Sequence, residues 1–457
     1  MRIHILGICG TFMGGIALLA RELGHEVSGS DANVYPPMST QLQQSGIQLF
    51  DGYSTTPLES SPDMVIIGNA LSRGNAVVEY VLNTGLKYTS GPQWLLDNVL
   101  HGRHVLAVSG THGKTTTTAM LTWVLDYAGK EPGFLIGGVA ENFGLSARLG
   151  KNTCFVVEAD EYDAAFFDKR SKFIHYHPNT LIINNIEFDH ADIFGNIEDI
   201  IREFRRLVKT VPSNGQIIYK QNDAQIKSVF EGGCWTPTAG FGAESGEWQY
   251  RANKADMSDF DVFYKGKSIA KVQWNLIGRH NAENALAVIA ASYRLDIDPV
   301  TSAKALGLFK SVKRRLQLLA ELEGIRIYDD FAHHPTAFRV TLDALRSKVG
   351  KNRIFAVFEP RSNTMKLGIL KDELGESLRE ADVVLAYQPA KMSWDLGEAL
   401  AGLKDRYHIF AQTDQIIDHL LGQLRSGDHV LIMSNGSFDS IHSRLIKALE
   451  TRLAGSK

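Results

Sequence analysis

The sequence predicts an α/β chain of three units in series, and three observations predict it. Short apolar strand patterns alternate with helical patterns along most of the chain, which implies parallel sheets with crossover helices. Glycine-rich turns separate strand from helix around residues 7–15 and 110–113. The length, 457 residues, calls for two to four domains at roughly 100–200 residues each.

The elements follow in order. Residues 2–6 form an apolar strand pattern, Gly7, Gly10, Gly14 and Gly15 follow, and 16–23 has helical spacing. Residues 25–30 read as a second strand ending at Asp31, and 64–68 as a further strand ending at Asn69. A second unit begins near His101, with strand 103–109, loop 110–113 and helix 115–127, then buried strands 154–158 and 181–186. Residues 240–275 change to short alternating runs around Lys265-Gly266-Lys267, the pattern of a hairpin on an antiparallel extension. Residues 278–295 are helical in pattern. The third unit starts near Ser311, with strands 325–328, 353–358, 383–387 and 429–433. The expected domains are 1–102, 103–310 and 311–457.

Composition narrows the function classes. Lysine plus arginine (48) nearly cancels aspartate plus glutamate (51), so a nucleic-acid coat or a membrane-surface protein is disfavoured. The three cysteines are far apart and form no metal pair or disulfide framework, which points to a reducing compartment. No apolar run reaches the roughly 18 residues of a membrane span, and residues 1–7 lack the order of a signal peptide.

The run Ser109-Gly110-Thr111-His112-Gly113-Lys114-Thr115-Thr116 lies between strand and helix. Glycines let backbone N–H groups turn inward around phosphate oxygens, and the following helix points its positive end at them. Lys114 is placed to reach the β- and γ-phosphates and Thr115 to ligate Mg²⁺. Val108 stands where the strict motif has glycine; the competing reading is a tight turn with a surface lysine.

Two acidic clusters, Glu158-Ala159-Asp160-Glu161 and Glu187-Phe188-Asp189-His190, end apolar strands. Ligands of parallel sheets bind beyond such ends, so these groups either hold Mg²⁺ near the γ-phosphate or cap βα turns. The spacing of Gly7, Gly10 and Gly14 does not fit G-x-G-x-x-G. It suits a nucleotide diphosphate on a helix N-terminus, with Asp31 at the next strand end, or a structural turn alone.

Together, Gly110-Thr111-x-Gly113-Lys114-Thr115, Glu158, Asn185-x-Glu187-x-Asp189-His190, Gly278-Arg279-His280-Asn281-x-x-Asn284, Arg314-Arg315 and Asp329-Asp330-x-x-His333-His334-Pro335 resemble the Mur ligase family over essentially the whole chain. The resemblance implies a Rossmann-like UDP-binding domain, a central P-loop ATPase-type domain with an antiparallel extension, and a Rossmann-like C-terminal domain. It implies an ATP-dependent amide ligase of the branch acting on UDP-N-acetylmuramate, in the bacterial cytoplasm, with no nucleic acid and no membrane insertion; it carries no signal for oligomeric state. Phe358-Glu359-Pro360-Arg361-Ser362-Asn363-Thr364-Met365-Lys366 resembles the members that attach the murein tripeptide L-Ala-γ-D-Glu-meso-diaminopimelate in peptidoglycan recycling. The alternative is the L-alanine-adding members of de novo synthesis.

The resemblance implies roles by position. Lys114, Glu158 and His190 would be catalytic, and Thr115, Glu158 and His190 would hold Mg²⁺. Gly110, Thr111, His112, Gly113, Lys114, Thr115, Thr116, His280, Asn281, Asn284, Arg315 and Asp330 would meet ATP. Gly7, Gly10, Thr11, Ser30, Asp31 and Asn69 would hold the UDP-sugar. Arg361 and Asn363 are candidates for the peptide's carboxylates, because a guanidinium fork suits that geometry; an exposed arginine after a strand is the plainer reading. One departure stands out: where several members carry a modified metal-binding lysine, this chain has Phe204-Arg205-Arg206-Leu207.

Overall fold

The computed structural model describes residues 1–35, 38–389 and 392–455. The first sheet has five parallel strands in the order Gln48–Asp51, Glu26–Asp31, Arg2–Leu6, Met64–Ile67 and Tyr88–Ser90. The chain leaves Arg2–Leu6 first to one side and later to the other. That reversal opens a crevice at the carboxyl ends of Arg2–Leu6 and Met64–Ile67, where Gly7 and Asn69 sit. The first helix runs Thr11–Glu22, five residues ahead of the sequence expectation. Gly14 and Gly15 lie inside it: a Cβ on Gly14 would strike the Met38 side chain, and one on Gly15 the Leu135 side chain of the central sheet. These glycines serve close packing rather than the turn.

The central sheet has ten strands. Its parallel body runs Thr238–Gly242, Gln216–Lys220, Thr180–Ile183, His104–Ser109, Cys154–Glu158 and Gly133–Ala140. Leu145–Arg148 closes one edge in antiparallel pairing. At the other edge Trp248–Ala252, Asp259–Tyr264 and Lys267–Gln273 form the antiparallel extension. Lys265 and Gly266 both have positive φ, 49° and 79°, as a two-residue hairpin turn of primed type requires. The strand expected at 181–186 ends at Ile183, because Asn184 and Asn185 turn away to brace the glycine loop.

The third sheet places Gln317–Leu322 antiparallel beside Ile325–Asp330, followed in parallel by His429–Met433, Ile354–Phe358, Val383–Tyr387 and Tyr407–Phe410. Ile325–Asp330 runs two residues beyond the expected strand. Both terminal carboxylates have partners there: Asp330 accepts from Leu316 N and Ala332 N, each at 2.7 Å, and Asp329 faces His442 at 3.1 Å.

The three lobes touch. Leu149 N donates to Glu22 Oε2 at 2.8 Å and His175 Nδ1 lies 3.1 Å from Gln93 Oε1, joining the first and central lobes. Thr336 Oγ1 donates to Glu187 at 2.7 Å, Thr364 Oγ1 to Asp189 at 2.7 Å, and Asn363 Nδ2 to Asp192 at 2.9 Å, joining the third lobe to the central one. Among the described residues no helix is long and apolar enough to cross a membrane.

Candidate active site

The strand His104–Ser109 is nearly all buried and apolar, and its parallel neighbours on both sides fix where it ends. Ser109 Oγ donates to Ile182 O at 2.9 Å, tying the start of the loop to the next strand. Gly110 has φ 131°, and a Cβ there would lie 3.0 Å from Asn185 O; only glycine fits. Gly113, at φ 81°, has Asn284 Oδ1 2.8 Å from its would-be Cβ. The helix Lys114–Tyr127 then begins without a side-chain cap, leaving first-turn N–H groups for an anion. Asn185 braces the loop, accepting from Thr111 N through its carbonyl at 3.1 Å and from His112 N through Oδ1 at 2.8 Å. Thr116 is buried in the first turn.

Lys114 is the hub. Its Nζ donates to Gly110 O at 2.7 Å and Glu161 Oε2 at 2.9 Å, with Asp160 Oδ1 at 3.6 Å. Burial alone would lower its pKa, but Glu161, Asp160 and Glu158 outweigh that and hold it above the ordinary lysine value. The other oxygen of Glu161 meets His190 Nε2 at 3.0 Å. Burial opposes the charge on Glu161, yet Lys114 and His190 hold its pKa below the usual range. Burial likewise opposes the imidazolium of His190, and Glu161 wins, raising its pKa. Glu158 differs: burial dominates and raises its pKa, despite Lys114 nearby. It accepts from Thr115 Oγ1 at 3.0 Å and Gly137 N at 2.7 Å.

Of the expected metal group, Thr115 and Glu158 are thus bonded to each other, whereas His190 is gathered with Asp160 and Glu161. Ligand atoms of these last three lie within 4.8 Å of one another. The donor set is carboxylate, hydroxyl and imidazole, and an oxygen-rich set of this kind suits Mg²⁺. A divalent cation would also relieve the buried charge of Glu158. Arg205 and Arg206 take no part: Arg205 pairs with Glu198 at 2.7 Å and donates to Ser228 O, and Arg206 pairs with Glu203.

A second cluster was not foreseen as a unit. His112 Nε2 lies 3.3 Å from Glu187 Oε2, and the His112 and His334 rings are 4.8 Å apart. The third lobe supplies Thr336 and His334 to this group, across the lobe boundary.

The remaining expected positions divide. Arg315 reaches the loop, its Nη2 3.3 Å from Thr115 Oγ1, with its guanidinium over the Phe331 ring. His280 and Asn284 lie at the start of the helix Arg279–Tyr293, with Asn284 beside Gly113 and His280 Nδ1 buried without a partner among the described residues. Asn281 donates to Ile277 O at 2.8 Å, a bond within the chain's own turn. Asp330 has both oxygens engaged by backbone amides, as above. In the first lobe Gly7 N donates to Ser30 O at 2.8 Å, and Gly10 caps the helix that Thr11 opens. Asp31 is committed to the turn itself, accepting from Cys9 N and Asn33 N at 2.8 and 2.9 Å. Ser30 is fully buried against His4 Nε2 at 3.0 Å. Asn69 is partly exposed at the end of Met64–Ile67. Asn363 is paired with Asp192, while Arg361, about half exposed, packs over Gly436 and lies 3.9 Å from Glu359.

Comparisons with known proteins agree with one another. Residues 2–102 match the Mur ligase family catalytic domain, 108–292 the Mur ligase middle domain, and 314–436 the Mur ligase glutamate ligase domain. The chain is 54% identical over 450 residues, 98% of each chain, to a UDP-N-acetylmuramate–L-alanyl-γ-D-glutamyl-meso-2,6-diaminoheptandioate ligase of Escherichia coli K12. It is 31% identical, over 97% of this chain and 96% of the other, to a UDP-N-acetylmuramate–L-alanine ligase of Alkaliphilus metalliredigens. A crystal structure of a murein peptide ligase from Psychrobacter arcticus 273-4 superposes with a TM-score of 0.76 at 46% identity, covering 98% of both chains.

Proposed function

The chain belongs to the Mur ligase family, ATP-dependent enzymes that form C–N bonds, and we propose that it joins UDP-N-acetylmuramate to L-Ala-γ-D-Glu-meso-diaminopimelate in the bacterial cytoplasm. The observation that carries this is the 54% identity, along 98% of both chains, to a relative named for that tripeptide, set against 31% to one named for L-alanine.

The chemistry starts from a thermodynamic fact: a carboxylate and an amine do not condense in water without activation. The lactoyl carboxylate of the sugar attacks the γ-phosphorus of ATP, ADP departs, and an acyl phosphate forms. The tripeptide's α-amine then attacks the acyl carbon, phosphate leaves with the C–O bonding pair, the nitrogen loses a proton, and an amide remains. Lys114 offsets the charge that builds as two anions approach. Glu161 aims the Lys114 ammonium and the His190 ring from one carboxylate. Gly110 and Gly113 let the loop close around the triphosphate. Glu158 and Thr115, with His190, Asp160 and Glu161 alongside, would hold Mg²⁺, which would supply further charge neutralisation on the phosphates. The third lobe, through Arg315 and the Thr336 and Thr364 bonds, covers the site and keeps water from the acyl phosphate. Arg361 is the candidate receptor for a tripeptide carboxylate.

The test is phosphate release and product mass with UDP-N-acetylmuramate, ATP, Mg²⁺ and either amine. Turnover with the tripeptide at least a hundredfold above L-alanine supports the proposal. Preference for L-alanine overturns it.

A further inference from the structure

Lys172 is a charged side chain that the site described so far does not use. It follows a small hairpin, Asp163–Ala165 paired with Asp168–Ser171, and its backbone N–H donates to Tyr162 O at 2.8 Å. The residue is only 7% exposed. A buried ammonium normally finds hydrogen-bond partners, because leaving it bare is costly. Here Nζ makes no hydrogen bond among the described residues. Its surroundings are Asp160 Oδ2 at 3.7 Å and the rings of Phe12 and Tyr162, with centroids at 5.1 and 5.5 Å. Three N–H donors thus face one distant carboxylate and two π-faces.

The place gives this meaning. Phe12 lies in the first turn of the helix Thr11–Glu22, next to the glycine turn of the first lobe. Asp160 turns its other oxygen to Lys114 at 3.6 Å. The Tyr162 ring lies against that of His190, centroids 4.1 Å apart and tilted by 51°. Lys172 therefore stands between the lobe that receives the sugar nucleotide and the lysine that meets the triphosphate. A molecule anionic along its length and laid across those two lobes passes this ammonium.

We propose that Lys172 is a positioning residue that grips an anionic group of the sugar-nucleotide substrate where it crosses from the first lobe to the central lobe. The proposal rests on the ligase reading above and adds a residue to it. The group gripped is either the diphosphate or the lactoyl carboxylate, and the arms of the test separate them.

The test compares wild type with Lys172→Met, which keeps the aliphatic stem, and Lys172→Arg, which restores the charge. A charge-assisted hydrogen bond is worth about 1.5–3 kcal/mol, so Lys172→Met raises the KM for UDP-N-acetylmuramate about 10- to 150-fold. The KM values for ATP and the tripeptide stay within threefold, and Lys172→Arg recovers part of the loss. Binding of UDP-N-acetylglucosamine, which has the diphosphate but no carboxylate, is then measured by calorimetry. A matching loss assigns the diphosphate; no loss assigns the carboxylate; both support the proposal. A folded Lys172→Met enzyme with an unchanged UDP-N-acetylmuramate KM, or with all three KM values raised alike, overturns it. If that variant does not fold, Lys172→Gln is read by the same criteria. Wild type without turnover would instead sink the ligase reading, so the two failures are distinct.

Discussion

Replacing Glu161 with glutamine tests the arrangement around Lys114 most searchingly. The change keeps the shape and removes one charge. Glu161 is 2% exposed, receives Lys114 at 2.9 Å on one oxygen, and faces His190 at 3.0 Å on the other. A glutamine offers one acceptor, so its NH₂ must point at a cation that is itself a donor. Losing one charged hydrogen bond costs about 1.5–3 kcal/mol. If that loss falls on the aim of Lys114 in the transition state, kcat/KM drops about 10- to 150-fold at 1.4 kcal/mol per tenfold. Breaking a buried pair also leaves an uncompensated charge, with a stability cost of about 3–5 kcal/mol, or roughly 6–20 °C in Tm for a domain of this size. The assay is phosphate release under saturating tripeptide, with thermal unfolding alongside. The pKa of His190, followed by NMR, falls in the variant, because its raised value depends on Glu161. Turnover within threefold of wild type, in a protein with unchanged Tm, would refute the reasoning.

Other predictions follow from single contacts. Gly137→Ala brings a Cβ to 2.6 Å from Glu158 Oε2, so kcat falls at least tenfold while circular dichroism is unchanged; wild-type kcat would show that Glu158 has no fixed post. Thr364→Val removes the bond to Asp189 across the lobe boundary and speeds ATP hydrolysis relative to amide formation, as the ratio of phosphate released to amide made would reveal; an unchanged ratio counts against closure by this contact. Arg361→Ala raises the tripeptide KM at least tenfold and leaves the ATP KM alone; equal effects would remove Arg361 from the peptide site. Burial lowers the pKa of His4, His280, His333 and His334 to about 4 each. Between about pH 6.5 and 4 the unfolded chain binds protons that the folded chain refuses, so their contribution is full above pH 6.5 and is lost as pH falls toward 4. Thermal scans across that window should show Tm declining; a flat profile would contradict the buried-neutral assignment.

Much of this was legible in the sequence because it is local. A strand, a glycine turn and a helix start lie within twenty residues, so Gly110 to Thr116 announced the glycine turn that joins strand to helix. The run from Glu158 marked a strand end for the same reason, whereas the run from Glu187 lies four residues past its strand, which ends at Ile183. What one segment does to a distant one was not legible. Glu161 stood in a quoted run, but nothing in its spacing said that it bridges Lys114 and His190, 47 and 29 positions away. Asn185, which braces the loop 73 positions back, and Thr364, which bonds Asp189 from 175 positions on, were hidden similarly. Local reasoning also misses what a side chain already holds. Ser30 and Asp31 sit at a strand end where a ligand group was expected, yet Ser30 is sealed against His4 and Asp31 holds the turn. A carboxylate that stabilises a loop and one that binds a nucleotide look alike in a sequence; only the neighbouring N–H groups tell them apart.

The central claim is that the sugar's carboxylate is phosphorylated before the amine attacks. It is tested most directly by labelling both lactoyl carboxylate oxygens of UDP-N-acetylmuramate with ¹⁸O and weighing the inorganic phosphate after one round of turnover with ATP and the tripeptide. The account predicts one ¹⁸O atom in each phosphate, carried over when the acyl C–O bond breaks, and one left in the amide. Phosphate free of label, with amide formed in equal amount, would contradict it.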